Sequence, residues 1–159
     1  MPRRGRTNLT SQTCFFVTTT TENHEHFFSG RELKARLLDI IMKSIRQHNA
    51  VLHGFVLMSN HFHLLLSLEG GGPELSRFMR DVKSISARIL FPGHHGIWIR
   101  RFDNVALYSD EHFRTKLDYI HNNPVKAGLA RNPSEYEFSS ARQWLPPGSG
   151  DSTPRLRSQ

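Results

Sequence analysis

Two apolar runs, Val51 to Met58 and His61 to Leu68, flank the dipeptide Ser59-Asn60. Short runs of aliphatic and aromatic residues parted by two polar ones predict antiparallel strands joined by a tight turn. A lone β-hairpin is marginal in water, so other segments must cover its faces. Thr13 to Thr20 is β-branched and aromatic and reads as a first strand. From Gly30 to His48, Leu33, Leu37, Leu38, Ile41 and Ile45 recur at helical spacing, with Asn49 ending the helix. Gly70-Gly71-Gly72-Pro73 reads as a break, and Leu75, Phe78, Met79, Val82, Ile85, Ile89 and Leu90 then trace a second helix, stopped by Pro92-Gly93. Ile97 to Tyr108 reads as one strand, interrupted around Asp103-Asn104. Ser109 resembles an N-cap, with Asp110 and Glu111 in the first turn of a last helix expected to weaken before Pro124. The order βαββαβα predicts an α+β fold: a ferredoxin-like βαββαβ antiparallel sheet plus an additional C-terminal helix.

A chain of 159 residues is long enough for one hydrophobic core. The expected organisation is a basic flexible arm over 1–12, carrying Arg3, Arg4 and Arg6, a folded domain over 13–145, and a disordered basic tail over 146–159 rich in Pro, Gly and Ser. Lys and Arg number 21 against 14 Asp and Glu, giving +7 and a pI near 10.2. Such a surface attracts polyanions, of which nucleic acid is the commonest, although a basic protein without a polyanionic partner has the same composition. Cys14 has no second cysteine to pair with, and its apolar neighbours suit a small buried side chain, which points to a reducing cytoplasm. No run approaches the roughly 18 apolar residues of a membrane span, and the arginines at the N-terminus precede no signal-like stretch. No membrane partner is expected.

Side chains alternate along a strand, so in His61-Phe62-His63 both imidazoles face one way and Phe62 faces the helix-covered side with Leu64, Leu66 and Leu68. That is a platform for a metal, or simply two polar residues on a sheet surface. His24-Glu25-His26 repeats the spacing without an apolar middle residue and reads as a solvated loop. On the last helix Phe113, Leu117 and Ile120 form the buried stripe, while Tyr119 and Asn123, one turn apart, share a flank. The flank offers a hydroxyl and an amide oxygen to a site beside the sheet; the plain alternative is an amphipathic tyrosine and a capping asparagine. A phenol ionises only near pH 10, so its attack on phosphate needs electrostatic help, and a divalent ion can give it. Two imidazoles and an amide oxygen leave octahedral positions open, which suits Mg²⁺ or Mn²⁺ better than a closed zinc site. Of the other tyrosines, Tyr108 abuts a helix cap and Tyr136 lies beyond the last helix, and packing is the simpler reading of both. Arg100, Arg101, Arg77, Arg80 and Lys83 are candidate phosphate contacts, or a solvated charged face.

Two segments, Val56-Leu57-Met58-Ser59-Asn60-His61-Phe62-His63-Leu64-Leu65-Leu66 and Tyr119-Ile120-His121-Asn122-Asn123-Pro124-Val125-Lys126-Ala127-Gly128-Leu129, resemble the REP-associated tyrosine transposases of the HUH single-strand transposase superfamily. Tyr136-Glu137-Phe138-Ser139-Ser140-Ala141-Arg142 is similar to the same family, so the likeness runs from about Thr13 to Leu145. The resemblance implies Tyr119 as nucleophile, His61 and His63 as metal ligands and Asn123, where related transposases have Gln, as third ligand. It implies single-stranded DNA with a hairpin (a REP-like element) as substrate, cut to a 5′-phosphotyrosine and a free 3′-hydroxyl, by a monomer or a homodimer. Ser59 stands where that family commonly has Pro, and Ala130 where it has a bulkier aliphatic residue. Two other functions suit the same chain: a non-catalytic DNA or RNA hairpin-binding module, and a metal-dependent hydrolase that uses water.

Overall fold

Period-two alternation in the strands sorts their side chains onto two faces, and helices cover both. The computed structural model describes residues 12–144. Strands β1 (Gln12–Thr20), β2 (Val51–Leu57), β3 (His61–Glu69) and β4 (Asp103–Leu107) form one sheet in the order β2-β3-β1-β4. All three pairings are antiparallel. Helices α1 (Arg31–Gln47), α2 (Gly71–Leu90) and α3 (Asp110–Lys126) complete the order βαββαβα. This is the ferredoxin-like arrangement with an added last helix. Gln12 opens β1; the rest of the basic arm, Leu145 and the tail 146–159 lie outside the described residues.

One face of the sheet packs Phe15, Val17, Phe62, Leu64, Leu66 and Leu68 against Leu37 and Ile41 of α1 and Leu75, Phe78, Met79 and Val82 of α2. The other packs Phe16, Val56 and Leu65 against Leu117 and Ile120 of α3, which lies over β2 and β3. α3 can come this close because β2 has no side chain at Gly54. A Cβ there would stand 2.7 Å from Leu117 Cδ1, and the β2–β3 register shifts at the same place, between Leu52 and Gly54.

Several boundaries differ from the sequence expectation. The break at the glycine run is shorter than expected: β3 ends at Glu69 and α2 already starts at Gly71, with Gly70 and Gly71 in the left-handed region at φ 96° and 63°. The expected strand over Ile97 to Tyr108 divides earlier than Asp103-Asn104. Trp98 bridges to Thr21, β4 begins at Asp103, and the two residues before Phe102 turn their carbonyls to Lys83 Nζ, 3.2 Å from each. Three steps along β1, from Thr18 to Thr21, face five from Asp103 to Trp98, so the intervening residues cannot stay in the ladder. α3 does not weaken before Pro124 but runs through it to Lys126. Pro124 sits in the last turn, where one lost backbone bond is tolerable, and the end is closed by Leu129 N–H to Pro124 O at 2.9 Å and Gly128 N–H to Val125 O at 3.0 Å. Asn49 does end α1, at φ 53°, with Ala50 N–H reaching back to Ile45 O.

Beyond α3 the chain returns along the free edge of β2. Leu57 N–H donates to Phe138 O (2.8 Å) and Ser140 N–H to Phe55 O (3.0 Å), which blunts an otherwise open edge.

Candidate active site

The α3-covered face carries the chemistry. β1 places Thr18 directly across from His63, and β2 places Val56 on its other side, so these side chains share one row. Phe62 points the opposite way, fully buried, with its ring 5.3 Å from Trp98. Its burial sets which way both histidines face: a register slip that exposed them differently would expose Phe62 too, at about 1.5–3 kcal/mol.

His61 and His63 stand with ring centroids 5.0 Å apart. Each is engaged at Nδ1: His63 with Thr18 Oγ1 at 2.8 Å, His61 with Asn60 Oδ1 at 2.8 Å. From α3, the Tyr119 ring comes edge-on to His63 at 5.3 Å and to Phe16 at 5.9 Å, and Asn123 Nδ2 lies 3.4 Å from His63 Nε2. The Asn123 amide also interacts with His61. Tyr119 is 46% exposed, so the residue lies at the surface rather than in the core. The four residues placed together by sequence, His61, His63, Tyr119 and Asn123, therefore converge on one spot.

Both histidines are held neutral. Burial, then the neighbouring charges of His61 and Lys116, pushes His63 down to about 3. Burial also lowers His61, partly opposed by the Asn123 hydrogen bond, with His24 adding to the lowering. A neutral imidazole keeps a lone pair on one ring nitrogen, the state in which histidine binds metal. Among the described residues no cluster of three or more His, Cys, Asp or Glu could hold an ion. The donor set is thus two imidazoles and an amide, whose neutral nitrogen and oxygen atoms fit a divalent ion that keeps open positions.

Sequence reasoning missed three neighbours. Thr18 was visible only through the β1–β3 register. Asn60 lay in a turn read for its shape alone. Lys116 carries its Nζ 4.8 Å over the Phe16 ring and its charge acts on His63; its place one turn before Tyr119 was the available signal.

The basic residues are elsewhere. Arg77 pairs with Glu74 at 2.9 Å, and Lys83 Nζ is turned onto the Arg100 and Arg101 carbonyls. Arg80 and Arg100 line, with Trp98 and Phe102, a groove of about 410 Å³ beside α2, on the side of the sheet away from Tyr119. Of the other tyrosines, Tyr136 packs as expected: Oη donates to Leu57 O at 2.7 Å, and burial pushes its hydroxyl up to about 12. Tyr108 does not; it is 86% exposed, having left β4 before α3 begins. Cys14 is half-buried rather than enclosed, and burial raises its thiol pKa. His24 and His26 are exposed, as a solvated loop requires.

This sheet, with paired histidines on a central strand and a tyrosine on the helix above them, defines a tyrosine transposase architecture, and the chain belongs to the IS200-like transposase family, whose model matches residues 10–123. It is 29% identical over 100 residues to a REP-associated tyrosine transposase of Escherichia coli K12, a match covering 63% of this chain and 59% of that relative. The structure of a REP-associated tyrosine transposase bound to a REP hairpin superposes with a TM-score of 0.72 at 24% identity, over 92% of each chain. A Deinococcus radiodurans protein assigned as a transposase gives 0.52 at 21% identity, over 70% of this chain and 90% of its own. Among the described residues no helix is long and apolar enough to cross a membrane.

Proposed function

We propose that the protein is a single-stranded DNA transferase, acting in the cytoplasm, that cuts and rejoins hairpin-containing DNA through a 5′-phosphotyrosine on Tyr119. The observation that carries the reading is the Tyr119 ring 5.3 Å from that of His63, with the Asn123 amide within reach of both imidazoles. The net charge of +7 supports a polyanionic substrate, and the solved relative bound to a REP hairpin supports its form.

His61, His63 and Asn123 would hold Mg²⁺ or Mn²⁺. Bound there, a divalent ion would neutralise charge developing on the scissile phosphate. The chain's own groups do the rest. Phe16 and His63 fix the Tyr119 ring by edge contacts, so the phenolic oxygen meets phosphorus without first being immobilised. The Tyr119 oxygen forms a bond to phosphorus and the bond to the 3′-oxygen breaks. The phenol's proton passes to solvent and the departing 3′-oxygen takes one up. Lys116, one turn away and over Phe16, supplies a cation beside the same phosphate. One phosphodiester replaces another, so the reaction reverses or redirects without ATP.

The test is covalent capture of hairpin-bearing single strands in Mg²⁺ or Mn²⁺. Wild-type protein should yield a DNA adduct, and Tyr119→Phe should yield none while binding DNA unchanged. Cleavage that survives Tyr119→Phe would make the protein a hydrolase using water. Binding without cleavage or adduct in the wild type would make it a hairpin-binding module.

A further inference from the structure

We propose that Asn60 is a positioning residue that sets the tautomer of His61, bridging the Thr21–Phe28 loop to the imidazole. The proposal builds on the reading of His61 as a metal ligand.

The geometry allows one assignment of hydrogens. Asn60 Nδ2 lies 3.3 Å from the His24 carbonyl. A peptide carbonyl only accepts, so the amide nitrogen must be the group facing it. The amide oxygen then faces His61 Nδ1 at 2.8 Å. An amide oxygen cannot donate, so Nδ1 must carry the proton and Nε2 must be bare. In water a neutral imidazole prefers the opposite tautomer, with its proton on the nitrogen the ion would need. Thr18 cannot do the same for His63, because a hydroxyl 2.8 Å from Nδ1 can donate or accept.

The bridge is held from both sides. The Asn60 carbonyl accepts from Thr21 N–H at 2.9 Å, the Thr21 hydroxyl donates to the Glu25 carbonyl at 2.6 Å, and the Ser59 carbonyl accepts from Phe28 N–H at 2.9 Å. Ser59 Oγ lies 2.5 Å from His26 Nδ1. Asn23 and His24 both take left-handed backbone, at φ 53° and 56°. For a residue such as His24 that conformation is unfavourable, and it persists where surrounding contacts fix it. What it gains here is a carbonyl that meets Asn60. The loop's contribution to the Asn60 amide is therefore a backbone carbonyl, not an imidazole.

Nitrogen-15 NMR of the histidines and Mn²⁺ titration calorimetry on the full chain test this separately. At about pH 7.5, where an ordinary imidazole is neutral, metal-free wild type should show His61 protonated at Nδ1. Asn60→Ala should move His61 toward the Nε2–H form and weaken Mn²⁺ binding about 10–100-fold. Asn60→Asp, whose carboxylate still accepts, should restore the tautomer and most of the affinity. His24→Gly, which keeps the carbonyl and suits the left-handed turn, should match wild type in both. Unchanged amide signals of Phe15, Leu64 and Leu66, whose side chains lie on the opposite face of the sheet, show that the sheet is intact in each variant. An Nε2–H His61 in wild type, or an Asn60→Ala protein with wild-type tautomer and affinity, overturns the proposal. If the wild type shows the Nδ1–H form but binds no Mn²⁺, the metal reading fails while the assignment of Asn60 stands.

Discussion

His61-Phe62-His63 and His24-Glu25-His26 share a spacing and little else. In the first, a strand sends both imidazoles to one face while the middle ring is locked into the opposite core. In the second, left-handed backbone at His24 removes the alternation and all three side chains are exposed. The spacing alone therefore carries little chemical information; the middle residue decides whether the two flanking groups are held at one distance. The second motif still serves the first, through the main-chain carbonyl that reaches Asn60.

The sharpest way to break this comparison is to remove the imidazoles of each motif in turn. His61→Ala or His63→Ala should slow metal-dependent adduct formation on the order of a thousandfold, corresponding to the several kcal/mol of charge stabilisation a catalytic ion provides. His24→Gly and His26→Gln should stay within about 0.5 kcal/mol, on the order of twofold. The measurement is the single-turnover rate of covalent capture. Equal losses from both motifs would mean that the exposed pair takes part in the chemistry.

Stability separates the middle residues. Phe62 is buried completely, against Trp98 and the helix-side core, so Phe62→Ala should cost about 3–5 kcal/mol. Glu25 is exposed, so Glu25→Ala should change stability by no more than about 0.5 kcal/mol. Denaturant unfolding of the two variants reads this directly. A small cost for Phe62→Ala would remove the argument that the strand's register aims the histidines.

How much of this was legible beforehand follows from the physics each residue obeys. Phe62 and its neighbours declared the strand and its faces because alternation is local, and Tyr119 and Asn123 declared a shared flank because helical periodicity is local too. Thr18 and Asn60 gave no such signal. Thr18 meets His63 only through pairing of strands distant in sequence, and Asn60 acts through a loop conformation set by bonds it makes itself. Pro124 misled for the opposite reason: a rule correct for helix interiors does not forbid the last turn, where the capping bonds of Gly128 and Leu129 complete the end. The five basic residues read as phosphate contacts were grouped by charge, yet Lys83 and Arg77 are engaged within the fold.

The smallest effect expected distinguishes a histidine held neutral from one held charged. His48, at the end of α1, lies 2.6 Å from Glu74 Oε2 and 2.8 Å from Asp81 Oδ2, both on α2. Burial alone would lower its pKa, but the hydrogen bonds and charges of the two carboxylates outweigh that and raise it. A group that binds its proton more tightly when folded adds stability that is complete below about pH 6.5 and is lost as pH rises through the higher folded value. Glu74, held low first by its hydrogen bond to His48, works in the other sense: its share is present above about pH 4.3 and is lost as pH falls through the folded value. His63 and His121, pushed by burial down to about 3 and about 4, lose stability for the fold as pH falls below about 6.5, because only the unfolded chain then takes up their protons. The midpoint of thermal unfolding should therefore decline on the alkaline side of about pH 6.5 through His48 and on the acid side through the buried pair. His48→Gln should flatten the alkaline decline and leave the acid one unchanged; if instead the alkaline slope survives that substitution, the ion pair joining α1 to α2 contributes nothing that titrates.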